Sequence, residues 1–182
     1  LAQIVQKLKA DVGIGLDGDG DRVAFIDGKG DFADFDQVLA AYAAHVVKEN
    51  GGGTVVTNVE ASMGMEKMVE RHGGKVARTK VGDVYISEMM QKRNAIFGGE
   101  PCGAWIHPQF HSCPDGILSS ALLLKALEDE NKSLAEFVSE TPKYPILREN
   151  LSCKNKMKEE AVEEIGESLK SIFPAYREFS TV

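Results

Sequence analysis

Short β-compatible segments alternate with helix-length segments through most of this 182-residue chain. Such alternation indicates βαβ units and an α/β fold, with a mixed, largely parallel sheet and helices on its faces. Right-handed crossovers then bring the strand-end loops to one edge, where ligands bind in sheets of this type. The predicted strands cover residues 54–59, 75–81, 94–99 and 104–108, and the predicted helices cover 62–73, 83–93, 115–130 and 133–140.

A strand–loop–strand module precedes this alternation. Residues 11–17 and 22–27 are short and apolar, and the sequence GKGD at 28–31 predicts a turn after them. A helix follows, because apolar side chains recur at helical spacing. Asp36 is its predicted N-cap, and Asn50 with the three glycines after it predicts its end. The apolar face of this helix consists of Val38, Leu39, Tyr42, Val46 and Val47.

The pattern changes after Pro142. Residues 144–153 are extended, and 154–173 have the pattern of a charged helix with one apolar stripe. Such a helix and the strand-like residues 177–182 cannot close a core alone, so we expect 148–182 to open a further domain. Because the chain does not begin with methionine and stops inside a strand-like stretch, the sequence predicts a piece of a longer protein. The stripe consists of Met157, Ala161, Ile165 and Leu169.

Composition argues against several classes of protein. The chain has 21 Lys and Arg residues and 28 Asp and Glu residues, and this net charge of −7 argues against a nucleic-acid partner. It has no apolar run of about 18 residues that could cross a membrane, and no signal-peptide pattern. An odd number of cysteines without a secretory signal favours a reducing, cytoplasmic location. We expect Cys113 and Cys153 to be partly buried.

The loop DGDGDR at residues 17–22 carries the strongest chemical signal. Its two glycines allow a tight loop, so Asp17, Asp19 and Asp21 can turn toward one point. Hard cations prefer carboxylate oxygens, and three carboxylates this close repel one another without a cation. Mg²⁺ is often completed by a phosphate, which the guanidinium of Arg22 also suits. The loop therefore predicts a Mg²⁺ site for phosphoryl chemistry, although it contains no nucleophile.

Two other interpretations of this loop fit less well. An EF-hand needs Gly at loop position 6 and Glu at position 12. Counted from Asp17, these positions hold Arg22 and Gly28, and the flanking patterns are strands rather than helices. A plain β-turn is the other interpretation, because Asp-Gly is a common hairpin signal. A simple turn, however, does not require a third aspartate and an adjacent arginine.

Two further loops follow predicted strands. Lys80 stands at the end of one strand, Gly82 allows the chain to turn, and Asp83 is a possible N-cap of the next helix. The third loop, GGEPCG at 98–103, contains three glycines and a proline, which fix its backbone shape. Glu100 at its centre can accept hydrogen bonds from the hydroxyl groups of a sugar.

Cysteine and histidine residues near this loop raise two alternatives. Cys102 as a nucleophile needs a base, and nothing in the sequence places His107 or His111 beside it. A zinc site formed by His107, His111 and Cys113 matches no standard ligand spacing. We therefore expect a structural loop here.

Together these motifs resemble those of the α-D-phosphohexomutase superfamily. DGDGDR, then VGD before a helix, then GGE-x-x-G, then DGI opening a helix follow in that order between about residues 11 and 128. The superfamily includes phosphoglucomutases, phosphomannomutases and phosphoglucosamine mutases, whose four domains surround one cleft. The resemblance implies a middle fragment: residues 1–50 are the C-terminal part of domain 2, 51–147 are domain 3, and 148–182 are the truncated start of domain 4.

The resemblance also implies roles for residues of the first two loops. Asp17, Asp19 and Asp21 would be the Mg²⁺ ligands. Arg22 would lie beside the transferred phosphate. Lys80 would help to position the substrate and assist proton transfer.

In the third loop, Glu100 falls on the family glutamate that contacts sugar hydroxyls, with Cys102 and Gly103 beside it in the substrate-binding loop. The chain departs from the family here, because Cys102 replaces a serine and Ala104 replaces the usual histidine. The sequence VGDVY at 81–85 is more similar to the phosphoglucosamine branch.

The resemblance implies that the full-length enzyme interconverts hexose 1-phosphates and 6-phosphates through a phosphoserine and a bisphosphate intermediate. Mg²⁺ would be its cofactor, a hexose 1,6-bisphosphate its activator and a hexose phosphate its substrate. This chain alone would then be inactive. Two alternatives stay open: a Mg²⁺-dependent sugar phosphatase, and a non-catalytic module that binds Mg²⁺ or a sugar phosphate. The sequence does not determine the oligomeric state.

Overall fold

A computed structural model of the protein describes residues 1–145, 147 and 152–172. By its internal contacts the chain forms two compact units, Leu1–Tyr144 and Pro145–Val182. The strand expected at 177–182 lies outside the described residues, as does much of the extended stretch expected at 144–153. No helix among the described residues is long and apolar enough to span a membrane.

The first unit contains every helix and strand that the sequence predicts between residues 11 and 140, with some ends shifted. The N-terminal residues also form a helix. The helices are α1 (Ala2–Leu8), α2 (Phe35–Glu49), α3 (Gly64–Glu70), α4 (Asp83–Arg93), α5 (Gly116–Glu130) and α6 (Leu134–Ser139). The strands are β1 (Val12–Leu16), β2 (Val23–Asp27), β3 (Gly53–Asn58), β4 (Gly74–Thr79), β5 (Phe97–Gly99) and β6 (Trp105–Ile106).

A four-stranded sheet in the order β4-β3-β5-β6 forms the centre of this unit. Strand β3 pairs in parallel with both β4 and β5, so that Val55 lies opposite Val76 on one side and Phe97 on the other. Strand β6 closes the sheet antiparallel to β5. The prediction of an α/β fold with a mixed, largely parallel sheet is confirmed.

Strands β1 and β2 form a separate antiparallel hairpin, with Leu16 opposite Val23 at its tip. The acidic loop joins the two strands at this tip. A single antiparallel bridge between Arg22 and Ala104 connects the hairpin to the turn between β5 and β6. The acidic loop therefore lies next to the third loop.

Helix α2 packs the predicted apolar face into the main core. Val38, Leu39 and Val47 are buried there, and Val46 is half-buried. The ring of Tyr42 stacks on Trp105 with 5.0 Å between centroids. Burial also raises the pKa of Tyr42.

Two helix caps differ from expectation. Asp34, not Asp36, caps α2, because the Asp34 side chain accepts a hydrogen bond from the backbone N–H of Gln37 at 3.1 Å. Asp36 lies two positions further along, in the first turn of α2, and accepts from the N–H of Ser62 at 2.6 Å. Asp83 is the first residue of α4 and does not cap it, since the N-cap position belongs to Gly82.

The two cysteines expected to be partly buried, Cys113 and Cys153, are exposed. His107 is the buried polar residue of that region, and its Nε2 lies 3.0 Å from the hydroxyl oxygen of Ser119. Burial lowers the pKa of His107 to about 4, so the ring is neutral at physiological pH. A packed neutral imidazole agrees with the structural loop expected there.

The described part of the second unit contains a short 3₁₀ helix at Asn155–Met157 that continues into α7 (Lys158–Ile172). The predicted charged helix is therefore present. Met157 and Ile165 of its apolar stripe are exposed, and Ala161 and Leu169 are partly buried.

Candidate functional site

The carboxyl ends of three parallel strands meet at one edge of the main sheet. Strand β3 ends at Asn58, β4 at Thr79 and β5 at Gly99. Lys80 directly follows β4, and Glu100 directly follows β5. Because parallel strands direct their carboxyl ends to the same edge of a sheet, both residues lie at that edge. The predicted convergence of the second and third loops is therefore observed.

The acidic loop brings its three carboxylates together. One oxygen from each of Asp17, Asp19 and Asp21 lies within 4.8 Å of the others. The loop is held closed by Asp17, whose Oδ1 accepts from the backbone N–H groups of Gly20 and Arg22, both at 3.2 Å. Within the described part of the chain, this is the only such cluster of three potential metal ligands.

The charges in this loop are incompletely balanced. Burial alone would raise the pKa of Asp17, but the hydrogen bond and positive charge of Arg22 hold it below its usual range. Burial, followed by the charges of Asp19 and Asp17, raises the pKa of Asp21. The Oδ1 atom of Asp21 is buried and has no hydrogen-bond partner. The loop thus contains a buried oxygen that lacks the hydrogen bond such atoms normally have.

These features fit a hard divalent cation. Carboxylate oxygens are the ligands that Mg²⁺ and Ca²⁺ prefer, and a bound cation would reverse the repulsion that raises the pKa of Asp21. It would also give the buried Oδ1 atom of that residue a partner. The donor set is therefore compatible with the predicted Mg²⁺.

Arg22 combines a fixed end with a free end. Its Nε donates to Oδ2 of Asp17 at 2.6 Å and lies 3.6 Å from Oδ1 of Asp21. The side chain is 54% exposed, and among the described residues its terminal nitrogens make no hydrogen bond. Those nitrogens remain available to an anionic group, such as a phosphate, that approaches the loop.

Glu100 is a buried carboxylate held by two other loops. Its Oε1 accepts from the side-chain amide of Asn58 at 2.7 Å and from the backbone N–H of Gly82 at 2.8 Å. These bonds tie together the ends of β3 and β5 and the start of α4. No described residue donates a hydrogen bond to Oε2 of Glu100, so this oxygen is left for a ligand.

Gly103 joins the acidic loop to the Glu100 loop. Its carbonyl oxygen accepts from the backbone N–H of Val23 at 3.1 Å. Its φ of +90° is a conformation that favours glycine, and a Cβ atom there would overlap the carbonyl oxygen of Val23. The two loops are thus packed backbone against backbone.

Helix α5 supports the acidic loop from another side. The N–H of Gly116, at the start of α5, donates to the carbonyl oxygen of Gly20 at 2.9 Å. The side chain of Asp115 caps this helix by accepting from the N–H of Leu118 at 2.8 Å.

Lys80 and Cys102 are both exposed. The ammonium group of Lys80 forms no hydrogen bond or ion pair with any described residue, and the residue stands two positions before Gly82. Burial raises the pKa of the Cys102 thiol. The charge of Glu100 also raises this pKa, whereas the charge of Arg22 lowers it.

Sequence reasoning missed Asn58 and Arg78. The guanidinium of Arg78 donates to both carboxylate oxygens of Glu66, at 2.8 and 2.9 Å, and to the backbone carbonyls of Asn58 and Ala61, at 3.0 and 2.7 Å. It thereby fixes the loop after β3, from which Asn58 reaches Glu100. A polar residue at the end of a buried strand was the available signal for Asn58.

The comparisons with known proteins agree with this architecture. A family model described as phosphoglucomutase/phosphomannomutase, alpha/beta/alpha domain III, matches residues 34–144. A probable phosphoglucosamine mutase of Methanopyrus kandleri is 42% identical over 182 residues, which is 100% of this chain and 40% of that protein. A phosphoglucosamine mutase of Methanococcus maripaludis is 43% identical over 162 residues, which is 89% of this chain and 36% of that protein.

Solved structures show the same likeness. A putative phosphomannomutase from Thermus thermophilus superposes with a TM-score of 0.72 at 30% identity, covering 77% of this chain and 32% of that one. A phosphoglucomutase/phosphomannomutase family protein from Burkholderia thailandensis shares the fold, with a TM-score of 0.71 at 23% identity and coverage of 78% and 31%. The chain spans at most about 40% of the length of these curated relatives. By the family match over more than half of its length, this chain belongs to the phosphoglucomutase/phosphomannomutase family.

Proposed function

We propose that this chain supplies the metal loop and the sugar loop of a hexose-phosphate mutase, which interconverts hexose 1-phosphates and 6-phosphates. The observation that carries the proposal is the packing of two carboxylate loops through Gly103. One loop is suited to a hard cation, and the other presents a buried glutamate to a ligand. Among the possible hexose phosphates we favour glucosamine phosphate, because the two curated relatives described above are named as phosphoglucosamine mutases.

In this proposal Asp17, Asp19 and Asp21 hold Mg²⁺. When bound there, the ion would supply charge neutralisation and polarisation of a phosphoryl oxygen. The convergence of the three carboxylates and the absence of a hydrogen-bond partner for the buried Oδ1 of Asp21 support this assignment. The free terminal nitrogens of Arg22 would bind the phosphate beside the loop, because a guanidinium can donate two parallel hydrogen bonds to phosphate oxygens.

The second and third loops would bind and orient the sugar. Glu100 would accept hydrogen bonds from sugar hydroxyls on Oε2, while its Oε1 stays fixed by Asn58 and Gly82. Gly103 would shape this loop, and Cys102 would line it. The exposed ammonium of Lys80 would donate to the substrate and help to move the proton of the reacting hydroxyl.

The remaining parts of the reaction would come from outside this sequence. The proposal assigns the phosphoryl group to a phosphoserine on another domain, with a hexose 1,6-bisphosphate as intermediate and activator. The proposal also divides this chain after residues 50 and 147 into parts of three domains. The share of about 40% that this chain covers of its relatives supports such a division of labour.

The test uses the polypeptide encoded by the complete reading frame that contains this sequence. Phosphorus NMR follows conversion of glucosamine, glucose and mannose 6-phosphates to 1-phosphates with Mg²⁺ and the matching 1,6-bisphosphate. We expect Asp19→Ala to lower turnover by about 100-fold or more, because charge stabilisation of this kind contributes several kcal/mol. Asp31→Asn, which changes an exposed carboxylate in the turn after β2, is the matched control and should leave turnover unchanged.

Each alternative gives a distinct result in the same assay. Release of inorganic phosphate without isomerisation would identify a sugar phosphatase. Binding of sugar phosphate without any conversion would identify a non-catalytic module. Assayed alone, this chain should bind Mg²⁺ but show no mutase turnover, and turnover by the chain alone would overturn the proposed division of labour.

A further inference from the structure

Three side chains on the segment that leads into α5 form a cluster outside the proposed site. The Nδ1 atom of His111 lies 3.4 Å from Sγ of Cys113 and 3.0 Å from the carbonyl oxygen of the same residue. The Nε2 atom of His111 lies 3.1 Å from Oδ2 of Asp115. A thiol, an imidazole and a carboxylate are thus arranged as a nucleophile, a base and a group that orients the base.

The cluster is accessible and its backbone is anchored. Cys113 is exposed, and 36% of the His111 side chain is exposed. The carbonyl oxygen of Ser112 accepts a hydrogen bond from the hydroxyl of Ser87 on α4 at 2.8 Å, and Asp115 is fixed as the cap of α5. An incoming reagent can therefore reach a thiol whose surroundings are held in place at both ends.

Hydrogen-bond accounting assigns a direction to the proton. The carboxylate of Asp115 can only accept, so Nε2 of His111 must carry the hydrogen in that contact. In the neutral ring Nδ1 then has a lone pair, which faces both the thiol of Cys113, which can donate to it, and the carbonyl oxygen of the same residue, which cannot. Transfer of the thiol proton to Nδ1 replaces this contact between two acceptors with a hydrogen bond. Once protonated, Nδ1 has two acceptors within reach, the Cys113 thiolate and carbonyl oxygen.

The other two cysteines provide internal comparisons. Cys102 is exposed as a residue, but burial of its thiol raises its pKa. Cys153 is exposed, and its Sγ donates to the carbonyl oxygen of Lys154 at 3.5 Å. Among the described residues, only Cys113 has an imidazole nitrogen beside its sulfur. Because the thiolate is the nucleophile, a base in contact with the thiol should set Cys113 apart.

We infer that Cys113 is a reactive thiol, activated by His111 and oriented through Asp115, that forms covalent adducts with soft carbon electrophiles. With iodoacetamide, a bond forms between sulfur and the methylene carbon, and the carbon–iodine bond breaks. Iodide leaves with the electron pair of that bond. The thiol proton passes to Nδ1 of His111 and then to solvent.

The test measures how fast each of the three cysteines is alkylated in one sample of the folded chain. Isotope-coded iodoacetamide at neutral pH and peptide mass spectrometry give the three rates side by side. We expect Cys113 to react at least about tenfold faster than Cys153, since a positioned base contributes one or more orders of magnitude. Equal rates at the two exposed cysteines would overturn the inference.

Two variants separate activation from exposure. His111→Gln should lower the Cys113 rate to that of Cys153, while the rates at Cys102 and Cys153 stay unchanged and report that the fold is retained. Asp115→Asn should lower the Cys113 rate by a smaller factor, because asparagine still caps α5 but cannot orient the imidazole as a carboxylate does. An unchanged Cys113 rate in the His111 variant would contradict the inference.

Discussion

The acidic loop at residues 17–22 and the Glu100 loop at 98–104 are adjacent and both carry carboxylates, yet they stabilise them in opposite ways. In the acidic loop three carboxylates crowd together, and Oδ1 of Asp21 is buried with no hydrogen-bond partner. In the Glu100 loop one buried carboxylate accepts hydrogen bonds from Asn58 and Gly82. A cation would supply the interaction that Oδ1 of Asp21 lacks, whereas Oε1 of Glu100 already has its hydrogen bonds without a ligand.

This difference separates two kinds of binding site. A cluster of like charges costs stability until its ligand arrives, so it is maintained for binding rather than for folding. A buried carboxylate with two donors stabilises the fold and is preorganised for a ligand at the same time. Replacement of a carboxylate in the acidic loop and replacement of Glu100 should therefore change the free energy of unfolding in opposite directions.

The largest effect is expected from breaking the contact between the loops. Gly103→Ala would overlap the Val23 carbonyl oxygen at a φ of +90°, so we expect a loss of about 3–5 kcal/mol in the free energy of unfolding. Urea denaturation followed by fluorescence of Trp105, the single tryptophan, measures this directly. Trp105 is buried in β6, directly after this loop.

Gly18→Ala is the matched control for this prediction. A Cβ at Gly18 would meet no atom within 4 Å, so the change should cost less than about 0.5 kcal/mol. If both variants were equally stable, the two loops would not be packed together through Gly103 as described.

An intermediate effect is expected from removing the buried carboxylate. Glu100→Ala leaves the Asn58 amide and the Gly82 N–H without their acceptor, which should cost about 2 kcal/mol. Glu100→Gln retains an oxygen at the Oε1 position and should cost less than about 1 kcal/mol. A stability equal to the original for Glu100→Ala, measured by the same urea titration, would mean that these hydrogen bonds do not hold the three loops.

The smallest effect, and one of opposite sign, is expected in the acidic loop. Burial and the charges of Asp19 and Asp17 raise the pKa of the Asp21 carboxyl group, which means that its charge is unfavourable in the cation-free protein. Asp21→Asn removes this charge, so the cation-free protein should become more stable by about a few tenths of a kcal/mol. Added Mg²⁺ should then stabilise the original chain but not the variant, because only the original binds the ion. Thermal melting with chelator and with Mg²⁺ compares the two. A loss of stability as large as that of Glu100→Ala would remove the contrast between the loops.

The convergence of the three carboxylates could be predicted because the three aspartates are close together in the sequence. Asp17, Asp19 and Asp21 lie within five positions, and the intervening glycines permit the turn. The strands and helices could also be predicted, because the periodicity of apolar residues within each segment indicates its conformation.

The partners of Glu100 could not be predicted in the same way. Asn58 is 42 positions away and Gly82 is 18 positions away, and only the order of strands in the sheet brings them together. The cap of α2 was misassigned for a related reason. Asp34 and Asp36 are both suitable caps by residue type, and the contact that engages Asp36 comes from Ser62, 26 positions later. The exposure of Cys113 likewise depends on tertiary packing rather than on residue type.

Calorimetric titration of this chain with Mg²⁺ tests whether the three aspartates form a cation site. The original chain and the Asp31→Asn control should each show saturable binding at a single site. Asp19→Ala should show no binding heat under the same conditions. Equal binding by Asp19→Ala and the original chain, or no binding by the original chain, would contradict the account.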